Sequence, residues 1–213
     1  MHRFMIAALI CAVASMGPLL VPRPAWAQGC SDVTVVFARG TGEPPGIGRV
    51  GQAFVDALRP QLGDRTLATY GVTYPATYDF ALAADGAADA SAYIASTTQS
   101  CPDSRIVLGG FSQGAAVVDM LAGVPPLGNR LGAVGPVLPP TVAPNVAAVA
   151  VFGNPATKFG NPITSAPMFG GRAIDLCTDG DPICSRGRNP LAHSNYVGAG
   201  LANHAADFVA RLV

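Results

Sequence analysis

The sequence predicts a single α/β domain with a central five-stranded parallel sheet flanked by helices, and three observations carry that prediction. Short runs rich in strand-forming residues recur along the chain, helical stretches stand between them, and one glycine-flanked serine marks a strand-to-helix turn. Strands that alternate with helices pair in parallel, because each helix returns the chain to the edge where the next strand begins. The first strand, Val33 to Ala38, is almost wholly apolar and feeds a glycine-rich loop through Gly40-Thr41-Gly42. In the helix that follows, Val50, Phe54, Ala57, Leu58 and Leu62 fall on one face. Leu67 to Val72, Arg105 to Gly109, Val146 to Phe152 and Arg172 to Asp175 read as the other strands. The stretch from Gly123 to Asn145 carries six prolines, which suits a stiff irregular connection and argues against a large mobile lid. Near the end of the chain, Leu201, Ala205, Phe208, Val209 and Leu212 form the apolar stripe of a last helix.

Chemistry concentrates at Gly110-Phe111-Ser112-Gln113-Gly114. Arg105 to Gly109 is an apolar strand before it, and Ala115 to Leu121 is an apolar helix opening after it. A Gly-x-Ser-x-Gly turn in that position is a nucleophile elbow: the serine backbone is strained, the glycines remove side chains that would clash, and the hydroxyl stands exposed at the carboxyl edge of the sheet. The bare pattern arises by chance in glycine-rich chains; its place between strand and helix gives it weight. Ser112 is the expected nucleophile of an α/β-hydrolase.

Such a serine needs a base, and there are three histidines. His2 falls in a leader segment. His204 borders the apolar stripe of the last helix, where a structural role suits it and where it has little freedom to reach a serine. His193 follows Asn189-Pro190-Leu191-Ala192, a turn-forming stretch, and loops at the carboxyl edge of such a sheet carry catalytic groups. His193 is the expected base. A carboxylate should orient the imidazole and stabilise the imidazolium that forms. Asp175, Asp179 and Asp181 are in reach: the first at the end of the last strand, the others in a loop bracketed by Cys177 and Cys184. Spacing alone does not choose between Asp179 and Asp181, since an Asp beside Gly or Pro also serves as an ordinary turn residue.

Four stretches taken together resemble the cutinase family of serine esterases: Ala38-Arg39-Gly40-Thr41-Gly42-Glu43, the elbow at Ser112, the Cys177 to Cys184 loop, and the histidine loop ending at Tyr196. In that family the catalytic Asp stands three residues before the second cysteine of the small loop, which implies Asp181 here. The order Ser112, Asp181, His193 is also that of α/β-hydrolases in general. Fungal cutinases usually carry Ser where Thr41 stands and Tyr where Phe111 stands, and their connection after the nucleophile helix is shorter.

Acyl transfer requires donors for the oxyanion of the tetrahedral intermediate. The backbone amide of Gln113, the residue after the nucleophile, is one, and the loop at Thr41 is the place for the second. Read by its spacing alone, Thr41 is as well explained as a turn residue; the resemblance implies that its hydroxyl adds a further donor.

A basic start at Met1 to Arg3, an apolar run from Met5 to Val21 and the small residues of Ala25-Trp26-Ala27 read as a cleaved secretory signal peptide, residues 1–27, followed by one domain over 28–213. Gly17-Pro18 interrupts the run, which is marginal for a span of about 20 residues, so no integral membrane segment is expected after processing. Cys11 leaves with the leader, and Cys30, Cys101, Cys177 and Cys184 remain as an even set suited to an oxidising compartment. Four cysteines allow three pairings. The local bridge Cys177–Cys184 leaves Cys30–Cys101, and the resemblance implies the same pairing. No close Cys-x-x-Cys pair suggests a zinc site, and neither metal nor cofactor is expected.

A formal net charge of zero, with 12% of residues charged, gives nucleic acid nothing to grip. Tyr78, Phe80, Met168, Phe169, Leu191 and Tyr196 are apolar residues near the expected rim. The reading is a secreted or cell-surface monomer that hydrolyses ester or lipid substrates of short to medium acyl chain through an acyl-enzyme. Its rivals are an acyltransferase using the same acyl-enzyme and a non-catalytic lipid-binding surface protein; intact candidates for every catalytic role oppose the second.

Overall fold

The computed structural model describes residues 29–129 and 135–213; the segment expected to be a signal peptide, with His2 and Cys11, lies outside the described residues. Strands β1 (Val33–Ala38), β2 (Leu67–Gly71), β3 (Arg105–Phe111), β5 (Val146–Phe152) and β6 (Ala173–Leu176) form one sheet in the order β2-β1-β3-β5-β6. Every neighbouring pair is parallel. Helices α1 (Gly48–Leu58), α2 (Ala83–Ser100), α3 (Gln113–Leu121), the single turn α4 (Pro155–Lys158) and α5 (Leu201–Ala210) connect or follow them.

Both faces of the sheet are covered, so its strands are apolar runs without polar alternation. On β1, Val33, Val35 and Phe37 point to the layer of α1 and α5, whereas Val36 and Ala38 point to that of α2 and α3. Phe37, Phe54 and Phe152 meet in the first layer with ring centroids 6.1 to 6.4 Å apart. A disulfide between Cys30 and Cys101, Cα atoms 5.6 Å apart, ties the segment before β1 to the end of α2.

Three expectations shift. Strand β3 runs two residues past Gly109, because a ladder needs only backbone groups and Gly110 and Phe111 pair with Val151 and Phe152. The buried stripe of α5 is Ala202, Ala205, Ala206 and Val209, with Leu201, Phe208 and Leu212 half-buried beside it: alanines let the helix sit close to its neighbours. The proline-rich connection is not irregular throughout, since Pro126–Asn129 forms an extended segment, β4, outside the sheet.

Parallel strands place all their carboxyl ends along one edge, where the loops of such sheets bind ligands. Thr41 follows β1, Ser112 follows β3, Asn154 follows β5, and Asp181 and His193 follow β6.

Candidate active site

Ser112 has φ of 55°, a left-handed conformation that Ala76 alone shares among the described non-glycine residues. Its surroundings impose this. The Ser112 N–H donates to the Phe152 carbonyl at 2.9 Å, while the Ser112 carbonyl accepts from Ala115 and Ala116 at the start of α3. A Cβ on Gly114 would collide with the carbonyls of Ala38 and Arg39, so glycine is what lets α3 begin so close to β1.

His193 lies in a one-turn helix, Ala192–Ser194, and its Nε2 is 2.8 Å from Ser112 Oγ. Its Nδ1 is 2.7 Å from Asp181 Oδ2. An aspartate held as acceptor fixes the tautomer: Nδ1 carries the proton, which leaves Nε2 free to accept from the serine hydroxyl. Phe111 stacks on the imidazole with centroids 4.9 Å apart. On the opposite side Gly153, at φ of 61°, leaves room where a Cβ would stand 2.9 Å from His193 Cε1.

Asp181 is wholly buried, yet it is well supplied with donors. Besides His193, its Oδ2 accepts from the Tyr196 hydroxyl at 2.5 Å, and its Oδ1 accepts from the Ile183 N–H at 2.8 Å. The Cys177–Cys184 bridge closes the loop that carries it. Cys177, Asp181 and Cys184 bring three atoms of metal-ligand type together, but both sulfurs are committed to the disulfide and offer no thiolate. Asp179 is exposed in the same loop, and His204 is exposed on α5.

Tyr196 corrects the sequence reading. It was expected at the rim, and instead it is fully buried behind Asp181. Burial, and secondarily its hydrogen bond to Asp181, push the phenol above its ordinary pKa, so it remains a donor. A tyrosine three residues after the histidine was a visible signal, but an aromatic beside a loop reads equally as rim or core. Phe169 is likewise in the core, Met168 packs against it away from the site, and Leu191 is exposed without lining the cavity. Tyr78 and Phe80 do line it.

Thr41 and Gln113 face each other across the elbow. The Gln113 N–H belongs to the first turn of α3, whose donors lack a partner within the helix. The Gln113 side chain is buried and braces two loops: its Oε1 accepts from the Thr41 hydroxyl at 3.1 Å, and its Nε2 donates to the Thr77 carbonyl at 3.0 Å. In this state the Thr41 proton points to Gln113 rather than to the space above Ser112. Beneath the loop Arg39 is buried and donates to the carbonyls of Glu43 at 2.8 Å and Tyr74 at 2.7 Å. These bonds fix the chain after β1 to the chain after β2, a role the sequence did not signal.

A cavity of about 960 Å³ opens over Ser112 and His193. Its walls are mainly apolar, with Phe80, Ala116, Met120 and Leu127 on the side of α2, α3 and β4. Among the described residues that line it, Arg49 and Glu43 are the charged ones.

Asp175, one of the three carboxylates considered for the histidine, faces elsewhere. Its Oδ2 accepts from Asn154 Nδ2 at 2.9 Å, Thr157 Oγ1 at 2.7 Å and the Ile163 N–H at 3.1 Å. The same Asn154 amide donates to Oδ1 of the buried Asp119 at 3.1 Å. Among the described residues, Asp119 Oδ2 and Asp175 Oδ1 have no partner. Burial raises the pKa of both, and for Asp119 the neighbouring Asp175 adds to the shift.

Fold and site define a class: an α/β-hydrolase-type domain whose serine, histidine and aspartate line up at the carboxyl edge of the sheet. The chain belongs to the cutinase family, whose family model matches residues 29–213. It is 52% identical over 205 residues to Phospholipase Culp4 of Mycobacterium tuberculosis, covering 96% of this chain and 88% of that protein. It is 45% identical to Carboxylesterase Culp1 of the same organism, covering 88% and 84% respectively. Among solved structures, Trichoderma reesei cutinase in complex with a C11Y4 phosphonate inhibitor is 36% identical at a TM-score of 0.69, covering 86% of this chain and 77% of that one. An acetylxylan esterase at 23% identity and a TM-score of 0.74, covering 86% and 99%, shares the fold. The protein is a carboxylic ester hydrolase.

Proposed function

We propose that this protein is a secreted serine esterase that hydrolyses esters of short to medium fatty acids, phospholipid esters among them, with Ser112 as nucleophile, His193 as general acid and base, and Asp181 as the orienting carboxylate. The observation that carries the reading is the unbroken hydrogen-bonded line from Asp181 through His193 to Ser112, opening into an apolar cavity. Ser112 Oγ attacks the ester carbonyl while its proton passes to His193 Nε2. The backbone N–H groups of Gln113 and Thr41 receive the oxyanion, and the Thr41 hydroxyl adds a donor once it turns from Gln113. Collapse expels the alkoxide, which takes the proton from Nε2; water then repeats the sequence on the acyl-enzyme. The apolar wall of Phe80, Ala116, Met120 and Leu127 receives the acyl chain.

Residues 1–27 are read as a signal peptide and 28–213 as the mature monomeric domain. The two disulfides accord with an oxidising compartment. No helix of the described residues is long and apolar enough to cross a membrane. The decisive experiment is a chain-length series of p-nitrophenyl esters on the mature protein. Turnover should peak at a short to medium acyl length and fall by several orders of magnitude in Ser112→Ala; a series that Ser112→Ala turns over at the wild-type rate overturns the assignment.

A further inference from the structure

The chemistry of the proposed reaction fixes which end of the cavity receives which half of the ester. The leaving alkoxide must take its proton from His193 Nε2, so the alcohol half lies on the histidine side, and the acyl half takes the apolar wall opposite. The apolar wall belongs to the layer of α2 and α3; the histidine side is bordered by the start of α1. There Arg49 stands, exposed, as the single cationic side chain among the described residues that line the cavity. Its Nη2 donates to the carbonyl of Ser194, the residue after His193, at 2.6 Å. This bond pins the guanidinium beside the histidine and leaves most of its five N–H donors unspent.

No carboxylate among the described residues pairs with Arg49. Glu43, the nearby acid in the lining, is committed to the backbone: its Oε2 accepts from the Gly40 N–H at 2.7 Å and its Oε1 from the Arg49 N–H at 2.8 Å. Among the described residues the lining therefore offers one fork of donors without a carboxylate partner, and it does so where the alcohol departs.

We propose that Arg49 forms a subsite for an anionic group on the alcohol half of the ester, a phosphate above all, so that the enzyme prefers acyl esters of phosphorylated alcohols. A guanidinium matches phosphate oxygens in a bidentate fork and holds them without entering the chemistry. Resting on the esterase reading of Ser112 and His193, the subsite acts on which ester is chosen. The bond cleaved remains the acyl C–O bond: the acyl group goes to Ser112 and then to water, the alcohol leaves with the His193 proton, and the phosphate stays on it.

The test uses three soluble esters with one acyl chain, all below aggregation: 1-hexanoylglycerol 3-phosphate, 1-hexanoylglycerol and hexanoylcholine. The readout is the ratio of kcat/KM between esters, which cancels changes in folding or in the common acyl step. In wild type the phosphate ester should lead, and its lead should shrink as salt rises. Arg49→Gln should lower the phosphate-to-neutral ratio about tenfold, Arg49→Lys should restore part of it, and Arg49→Glu should move the preference toward the choline ester. Glycerol 3-phosphate should compete with the neutral ester better than glycerol does, and lose that advantage in Arg49→Gln. Ratios that stay within twofold across these variants overturn the subsite while neutral-ester turnover leaves the esterase reading standing. Absence of turnover of any of the three esters overturns the esterase reading, and the subsite with it.

Discussion

Consecutive residues after β5 serve two different aspartate clusters. Gly153 makes room for His193 and the Tyr196 hydroxyl, and Asn154 holds Asp119 and Asp175. Both clusters are buried and both depend on loops at the same edge of the sheet. What separates them is the supply of donors. Asp181 receives three, from His193, Tyr196 and the Ile183 N–H, and both of its oxygens are engaged. Asp119 receives one, from an amide it shares with Asp175, and each of that pair keeps an oxygen without a partner. An aspartate with donors on both oxygens is a fixed acceptor, fit to hold an imidazole in one tautomer. In the pair, each with one oxygen unengaged, burial raises both pKa values. Burial and residue type alone do not decide what an aspartate does; whether donors face both of its oxygens does.

Asp175 too receives three donors, but all on Oδ2, so it is engagement of both oxygens that sets Asp181 apart. The comparison breaks most sharply at Asp181. Asp181→Asn keeps the shape but turns an NH2 or a neutral carbonyl toward His193, which frees the wrong tautomer. We expect kcat to fall about 10³- to 10⁴-fold with the circular dichroism spectrum retained, as steady-state kinetics on a soluble ester would read. An equal loss in Asp175→Asn would show that the two clusters are not separate.

Removing the Cys177–Cys184 bridge comes next. On the chain-entropy model a loop of this size constrains the unfolded chain by about 2 kcal/mol, so the fold should survive. The carboxylate loses its fixed position, and replacing both cysteines with Ser should lower kcat at least tenfold. Full activity in that variant would assign the hold on Asp181 to Tyr196 and the Ile183 N–H alone.

Tyr196→Phe sharpens the role of the donors. It removes one buried hydrogen bond, an effect on the order of 1 kcal/mol, and should lower kcat roughly three- to tenfold. Phenylalanine keeps the ring and its packing, so a loss of this size reports the hydroxyl, and unchanged kcat would leave the hold on Asp181 to His193 and the Ile183 N–H.

The smallest effect belongs to Asp119→Asn, read by thermal unfolding against pH. A carboxyl whose folded pKa is raised contributes most below its unfolded value, about 3.9, and loses that contribution as pH rises through the folded one. Wild type should accordingly lose ground to Asp119→Asn as pH rises above about 4. A difference on the order of 1 kcal/mol would move Tm by roughly 2–4 °C in a domain of this size. A pH-independent difference would mean that Asp119 holds no extra proton in the folded state.

Much of this could be read in the residues because it is local. Strand runs, helix stripes and the elbow at Ser112 each depend on spacing within a few residues, and the ends of the sheet strands came within two residues of those expected. Three histidines, one of them in the segment expected to be cleaved and one on a helix stripe, left His193 as the expected base. The choice of Asp181 needed a family resemblance, because Asp179 and Asp181 share one loop and their sequence neighbours do not say which carboxylate turns inward. Tyr196, Arg39 and the Gln113 side chain went unread for the same reason at longer range. Their partners lie 15, 35 and 36 residues away for Asp181, the Tyr74 carbonyl and the Thr77 carbonyl. A sequence displays a residue's chemistry and its local period, and those settled the fold and the elbow. Which donors converge on which acceptor depends on how distant loops pack over one sheet edge, and only the tertiary structure decided that.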